Sequence, residues 1–264
     1  MGRFDESIAQ YRKALTLDPN FIASHQGIAS ALLYSGKPAE AAAELQKITE
    51  KARNDGERRT ALFAMTVLHI DTGNMSKALQ EVDKQYALGE KTNDVPAMAG
   101  DRQLKGNIIM EMGEYDQAKA LYEQALKMTE ESTLSQEIKE NTRLFQHNNL
   151  ARVALGKKDF VTAKSEAEAF MKASEAAKNP AQIRLAHELT GQIALEQKDL
   201  NGAMTELQQG SMQNPYNLYR LCRAHQGKGD GAKAKELCGK AAGFNSLPLL
   251  NYAFVRTKAK GAGA

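Results

Sequence analysis

Seven small residues recur along the chain at intervals that a single globular core does not require: Ser7, Ala41, Ala78, Ala118, Ala163, Ala203 and Ala234, separated by 34, 37, 40, 45, 40 and 31 residues. Intervals of this size are those of stacked helical hairpins, each too small to bury its apolar face alone. Other positions keep station with these anchors. Five residues before them stand Gly36, Gly73, Gly113 and Gly229, with Lys158 and Lys198 in the two weaker copies. Glycine accepts the left-handed backbone that ends one helix and turns sharply into the next. Twelve residues before the anchors the side chains are small: Ala29, Thr66, Gly106, Ala151, Gly191 and Cys222. Four residues after the anchors, one helical turn along the same face, come Tyr11, Leu45, Val82, Tyr122, Leu207 and Cys238. The pattern predicts a close crossing of two antiparallel helices in each copy.

With 6 Pro and no Trp in 264 residues, and with Ala, Leu, Glu, Lys and Gln abundant, the chain favours helix throughout. Hairpins are expected at residues 21–53, 57–91, 95–131, 135–178, 181–213 and 216–243, forming one continuous array. Asp18-Pro19-Asn20, Asn54-Asp55-Gly56, Asn93-Asp94-Val95-Pro96, Asn179-Pro180 and Asn214-Pro215 punctuate the joints. Residues 2–18 form a half-repeat, the second helix of a hairpin whose first helix is absent, so the chain is expected to be part of a longer protein. At the other end, residues 247–258, carrying Leu249, Leu250, Tyr252, Phe254 and Val255, are expected to form a helix capping the last repeat, followed by a frayed tail from Lys258 to Ala264.

Gly106, Ile109, Gly113, Tyr115, Ala118, Tyr122 and Ala125, together with Phe4, Tyr11, Ala14 and the closing Asp18-Pro19, resemble the tetratricopeptide repeat family. The resemblance covers nearly the whole chain, although the aromatic that opens the family's first helices is missing. Copies near 40 residues imply second helices longer than the standard unit. The resemblance implies an all-α, right-handed superhelical solenoid of antiparallel helix hairpins, and a role in binding proteins rather than in catalysis.

Residues that could carry chemistry have plainer readings. A net charge of +3, from 35 basic and 32 acidic residues that are intermixed, argues against a protein built for nucleic acid. No apolar run approaches the roughly 20 residues of a membrane span, and Met1 opens no signal peptide. A cytoplasmic setting follows unless an export signal preceded the chain. His25, His147 and His187 lie sixteen residues before their anchors, and His69 and His225 nine before theirs; these slots face inward, which makes the five histidines partly buried packing residues rather than metal ligands. Cys222 and Cys238 fill the small slot and the facing core slot of one hairpin, either as two buried hydrophobes or as a disulfide that would imply an oxidising compartment. Gly227-Lys228-Gly229-Asp230-Gly231 lacks the spacing of a phosphate loop and suits a turn. Neither a metal nor any other cofactor is called for.

The family's geometry lines the inner groove with first helices. Positions fifteen and eleven before each anchor then form groove-facing pairs: Gln26 and Ser30, Phe63 and Val67, Gln103 and Asn107, Asn148 and Arg152, Glu188 and Gln192, and Tyr219 and Arg223. From Gln103 onward these are rich in amides, which can serve a peptide backbone as donor and acceptor, and in arginine forks suited to carboxylates. Gln103, Asn107 and Asn149 match part of the two-carboxylate clamp of tetratricopeptide co-chaperones, but Leu185 and Leu189 stand where its cations belong. The expected function is therefore a non-catalytic adaptor that binds a peptide or helix of a partner protein through Gln103, Asn107, Asn148, Arg152, Glu188, Gln192, Tyr219 and Arg223. The alternatives are a self-assembling unit joined through Phe4–Leu17 or the face around Phe254, and a regulatory array whose effector domain lies outside this chain.

Overall fold

The structure, a computed structural model, describes residues 2–244 and 250–263. All regular structure among them is helical: α1 (Phe4–Leu17), α2 (Ile22–Tyr34), α3 (Pro38–Lys51), α4 (Asp55–Asp71), α5 (Met75–Thr92), α6 (Val95–Glu111), α7 (Tyr115–Glu131), α8 (Gln136–Gly156), α9 (Phe160–Ala176), α10 (Pro180–Glu196), α11 (Leu200–Gln209), α12 (Pro215–Gly227), α13 (Gly231–Ala242) and α14 (Leu250–Ala262). From α2 to α13 they pair as hairpins. The chain divides into two compact units, one of residues 1–94 with 245–254 and the other of residues 95–244 with 255–264.

One local device turns every hairpin. The residue five before each anchor has a positive φ: 86° at Gly36, 78° at Gly73, 87° at Gly113, 62° at Lys158, 65° at Lys198 and 78° at Gly229. The next amide then bonds back five residues, as Lys37 N to Leu32 O, Glu114 N to Ile109 O and Asp230 N to His225 O do, satisfying carbonyls that the helix end would orphan. A lysine in this conformation costs about 1 kcal/mol more than glycine, so Lys158 and Lys198 accept strain that the glycine copies avoid. Among the described residues, eight helices start on a side-chain cap, while α1, α2, α3 and α7 do not. The side chains of Asn54, Asn74, Ser135, Asp159, Asn179, Asp199, Asn214 and Asp230 accept from first-turn amides, and proline occupies the first turn of α10 and α12. Of the joint residues identified in the sequence, Asn54, Asn179 and Asn214 are thus helix N-caps.

In the first unit, α2 pairs with α3 and α4 with α5, and Ala29, Ala41 and Leu45, then Thr66, Ala78 and Val82, lie buried at the crossings. Helix α1 is not left unpaired. Its Tyr11 ring lies over Gly27 of α2, where an added Cβ would fall 2.2 Å from a ring carbon.

The second unit repeats the scheme in α6/α7, α8/α9, α10/α11 and α12/α13. A Cβ on Gly106 would meet the Tyr122 ring at 2.6 Å, and one on Gly191 would meet Leu207 Cγ at 2.6 Å. In the last hairpin the same two slots hold Cys222 and Cys238, whose Cα atoms are 5.4 Å apart and whose sulfurs are bonded. The sequence left this pairing open, and close helix approach makes it geometrically available. Added length is shared between helices: α8, a first helix, has 21 residues, more than the 18 of α5 or the 17 of α7 and α9. The second helices α5, α7 and α9 are long, as the repeat length implies, and the first helix α8 is longer still. The C-terminal helix is described from Leu250, so residues 247–249 of the expected cap lie outside the described residues. Its later half does pack on the last hairpin, with Ala259 buried in the cluster of Cys222, Leu237 and Cys238. The expected fraying from Lys258 does not occur: the helix runs to Ala262, whose carbonyl accepts from Gln226 Nε2 at 2.7 Å.

Gly106→Ala is expected to lower the unfolding free energy by about 1–3 kcal/mol in urea titration, because Tyr122 is buried and its hydroxyl is tied to Asn107. At Gly239, where an added Cβ meets nothing within 4 Å, alanine is expected to be stabilising by up to about 1 kcal/mol. A Gly106→Ala chain as stable as wild type would contradict the close crossing.

Candidate functional site

Tyr216 near the start of α12 donates its hydroxyl to Glu111 at the end of α6 at 2.6 Å, across 105 residues of sequence. Two whole hairpins intervene between α6 and α12, so this bond can form only if the first-helix side of the second unit curves inward. That side is its inner face.

A set of linked polar side chains covers it. Asn107 Oδ1 on α6 accepts from Tyr122 Oη at 2.9 Å and from Arg152 Nη1 of α8 at 3.0 Å. Arg220 of α12 stacks over the Tyr216 ring with its guanidinium carbon 4.7 Å from the centroid and stands 3.9 Å from Glu188 of α10. Glu188, only 2 % exposed, accepts from Ser211 N at 2.9 Å and from Asn214 Nδ2 at 2.5 Å. Lys258 of α14 donates to the second oxygen of Glu111 at 2.5 Å and to Tyr216 Oη at 3.2 Å.

Burial governs the proton affinities. It raises the Glu188 carboxyl above its ordinary range, against the opposing pull of the Ser211 amide and Arg220, and it lowers Arg220 despite Tyr216 and Glu188. The Tyr216 phenol is raised by burial and further by the neighbouring Glu111 carboxylate. For Lys258, burial works downward, yet Tyr216 and Glu111 together hold the ammonium above its usual value. At the end of the face Glu196 accepts from Lys158 at 2.9 Å and from Arg223 at 3.0 Å. Burial would raise this carboxyl, but the two cations prevail and lower it.

The residues predicted as groove-lining fall into three environments. Asn107 and Arg152 meet on the inner face, with Gln103 half-buried on the same helix as Asn107. Asn148 and Glu188 are buried, the latter supporting the connection between α11 and α12. Tyr219 packs against the apolar cluster of the last hairpins, Gln192 is half-buried, and Arg223 is exposed in its ion pair with Glu196. In the first unit Val67 is buried and Phe63 half-buried.

Glu111, Tyr216 and Arg220 carry much of the inner face but were not among the pairs read from the sequence. They stand seven, eighteen and fourteen residues before their anchors. With the position eleven before, they trace one helical stripe that the chosen pair of offsets only clipped.

The histidines also need correction. His25, His147 and His187 are not simply packing residues: each bonds through Nδ1 to a glutamate nineteen residues on, Glu44 at 2.5 Å, Glu166 at 2.6 Å and Glu206 at 2.8 Å. A His sixteen before the anchor with a Glu three after it was a visible signal. These pairs clasp the two helices of one hairpin. Among the described residues, no three or more His, Cys, Asp or Glu gather as a metal site would require, and no helix is long and apolar enough to cross a membrane.

An all-α array of capped, close-crossing hairpins with an inward-curving first-helix side defines a helical-repeat protein. Residues 26–143 match the model of the tetratricopeptide repeat-like domain and residues 1–21 that of the tetratricopeptide repeat. The chain belongs to the tetratricopeptide repeat family. No curated protein matches it in sequence. Its fold is similar to that of a tetratricopeptide repeat protein from Parabacteroides merdae (TM-score 0.61, 12 % identity, 99 % of this chain and 91 % of that one). It is also similar to the apo form of RapI (TM-score 0.59, 15 %, 98 % and 92 %) and to BtubC (BKLC) from P. vanneervenii (TM-score 0.57, 14 %, 86 % and 89 %).

Glu188 and Arg223 separate support from surface. Glu188→Ala is expected to cost about 3 kcal/mol or more, since it leaves the largely buried Arg220 without its carboxylate. Arg223→Ala is expected to cost less than about 1 kcal/mol, as exposed ion pairs do. Thermal melting of the two variants checks the difference.

Proposed function

We propose that this protein is a non-catalytic scaffold that holds a peptide or helix of a partner protein on the inner face of residues 95–244. The observation that carries this reading is the convergence of polar side chains from α6, α8, α10 and α12 on that face. Amides and guanidinium groups gathered in this way can serve a peptide backbone and its carboxylates. Asn107 and Arg152 hold each other in place, so less side-chain entropy is lost when a ligand arrives.

The test is site-specific photo-crosslinking in the living source cell. A photo-reactive side chain at Gln103, on the inner face, is expected to capture a partner that the same group at Val161, 82 % exposed on the second helix α9, does not. Capture from Val161 alone would place binding on the outer side and end the groove reading.

The Cys222–Cys238 bond adds a compartment to the proposal. Structural disulfides persist where the surroundings are oxidising, so the array works in an exported or periplasm-like setting rather than in a reducing cytosol. Protein taken from its source with free thiols trapped at lysis is expected to carry no alkyl group on either cysteine. Alkylation of both would return the chain to a reducing compartment.

A further inference from the structure

The inner face of the second unit already holds a helix. The later half of α14 turns Val255 and Ala259 inward, exposed by 0 % and 1 %, with Arg256 also buried, and sets the Lys258 ammonium between the Glu111 carboxylate and Tyr216. The ammonium lies 5.6 Å from the Tyr216 ring centroid, so Lys258 has a carboxylate, a phenol oxygen and an aromatic face as partners. This is a lysine socket built by α6 and α12.

The side chains that α14 sets against the last hairpins are the small Ala259 and Ala262, which remove little apolar area from water. The Lys258 side chain is 44 % exposed, so the socket stays open to solvent on one side.

We propose that the inner face of residues 95–244 is a receptor for a lysine-bearing amphipathic helix of another protein, and that residues 255–262 of this chain are a built-in, displaceable occupant of that receptor. The incoming helix places a lysine in the Glu111–Tyr216 socket and, one turn along, a small apolar residue against the last hairpins. Recognition is of the helix-in-groove kind, with the cation fixing register and the apolar stripe supplying affinity. The proposal rests on the reading that partners bind the inner face, and it names the chemistry of what binds.

The probe is a fluorescent synthetic peptide of residues 250–262, titrated by polarisation against the full chain. Lys258→Ala in the protein loosens the resident helix and is expected to tighten peptide binding about tenfold relative to wild type, the scale of one lost charge-assisted hydrogen bond. The same substitution in the peptide is expected to weaken it by a similar factor, and Glu111→Gln in the Lys258→Ala protein to abolish the preference for the lysine peptide. Equal binding to wild type and Lys258→Ala, or equal binding of the two peptides, overturns the proposal. Should Lys258→Ala unfold the chain, hydrogen exchange on wild type decides instead. Excess peptide must then speed exchange in residues 255–262 while α6 and α12 stay protected, and unchanged exchange overturns the proposal. A partner captured from Gln103 that this peptide fails to displace would leave the groove reading intact and remove the lysine socket from it. Peptide binding as expected without capture at Gln103 would do the reverse.

Discussion

Sixteen residues separate the two side chains that set how closely the helices of each hairpin approach, and the rest of the structure depends on that contact. Gly106 faces Tyr122, Gly191 faces Leu207 and Cys222 faces Cys238, while Ala29, Leu45, Thr66 and Val82, in the corresponding slots of the first unit, are buried to about 1 % exposure or less. The first slot is small because the second must be filled. Interiors are packed as densely as crystals, so a methyl group too many has nowhere to go. The crossing recurs at five of the six hairpins, while α8 and α9 meet with alanine at both slots, Ala151 and Ala167. The first-helix side of the second unit can then curve far enough for α12 to reach α6.

Curvature turns an otherwise ordinary set of polar residues into a site. Glu111, Tyr216, Arg220, Glu188, Asn107 and Arg152 come from four helices, and the contact of Glu111 with Tyr216 exists only because the array curves. Brought together, they desolvate one another. The buried Glu188 and Arg220 shift in the directions that loss of water dictates, and the carboxylate, ring and guanidinium compensate one another only in this arrangement. Buried charges of this kind contribute less to net stability than to fixing one arrangement over others. Here they fix the spacing of α6, α10 and α12.

What the sequence made legible and what it hid divide along physical lines. Turn glycines and small slots were readable because each answers a local steric demand, and even Lys158 and Lys198, which break the glycine rule, were marked by their offset and adopt the left-handed backbone. Glu188 was harder. A helical residue shifted by one position swings about 100°, enough to carry a side chain from groove to core, and the offset alone cannot resolve that difference. His25, His147 and His187 needed two helices to be read in phase with each other before Glu44, Glu166 and Glu206 appeared as partners. The contact of Lys258 with Glu111 spans 147 residues and follows from the accumulated curvature of four hairpins, which no local pattern encodes.

The bond between Cys222 and Cys238 has a mechanical side. Repeat arrays pulled from their ends yield one hairpin after another, each release lengthening the tether by the contour of its residues. In α12 and α13 the 16-residue span between the cysteines is closed covalently, at the slots where the other hairpins rely on a side chain filling a gap. At roughly 3.4 Å per residue, about 5 nm of polymer is withheld from any tether drawn through this hairpin. The segment on which α14 rests therefore cannot be drawn out to its full length, and under load it behaves as a clasp where the preceding hairpins behave as links that open.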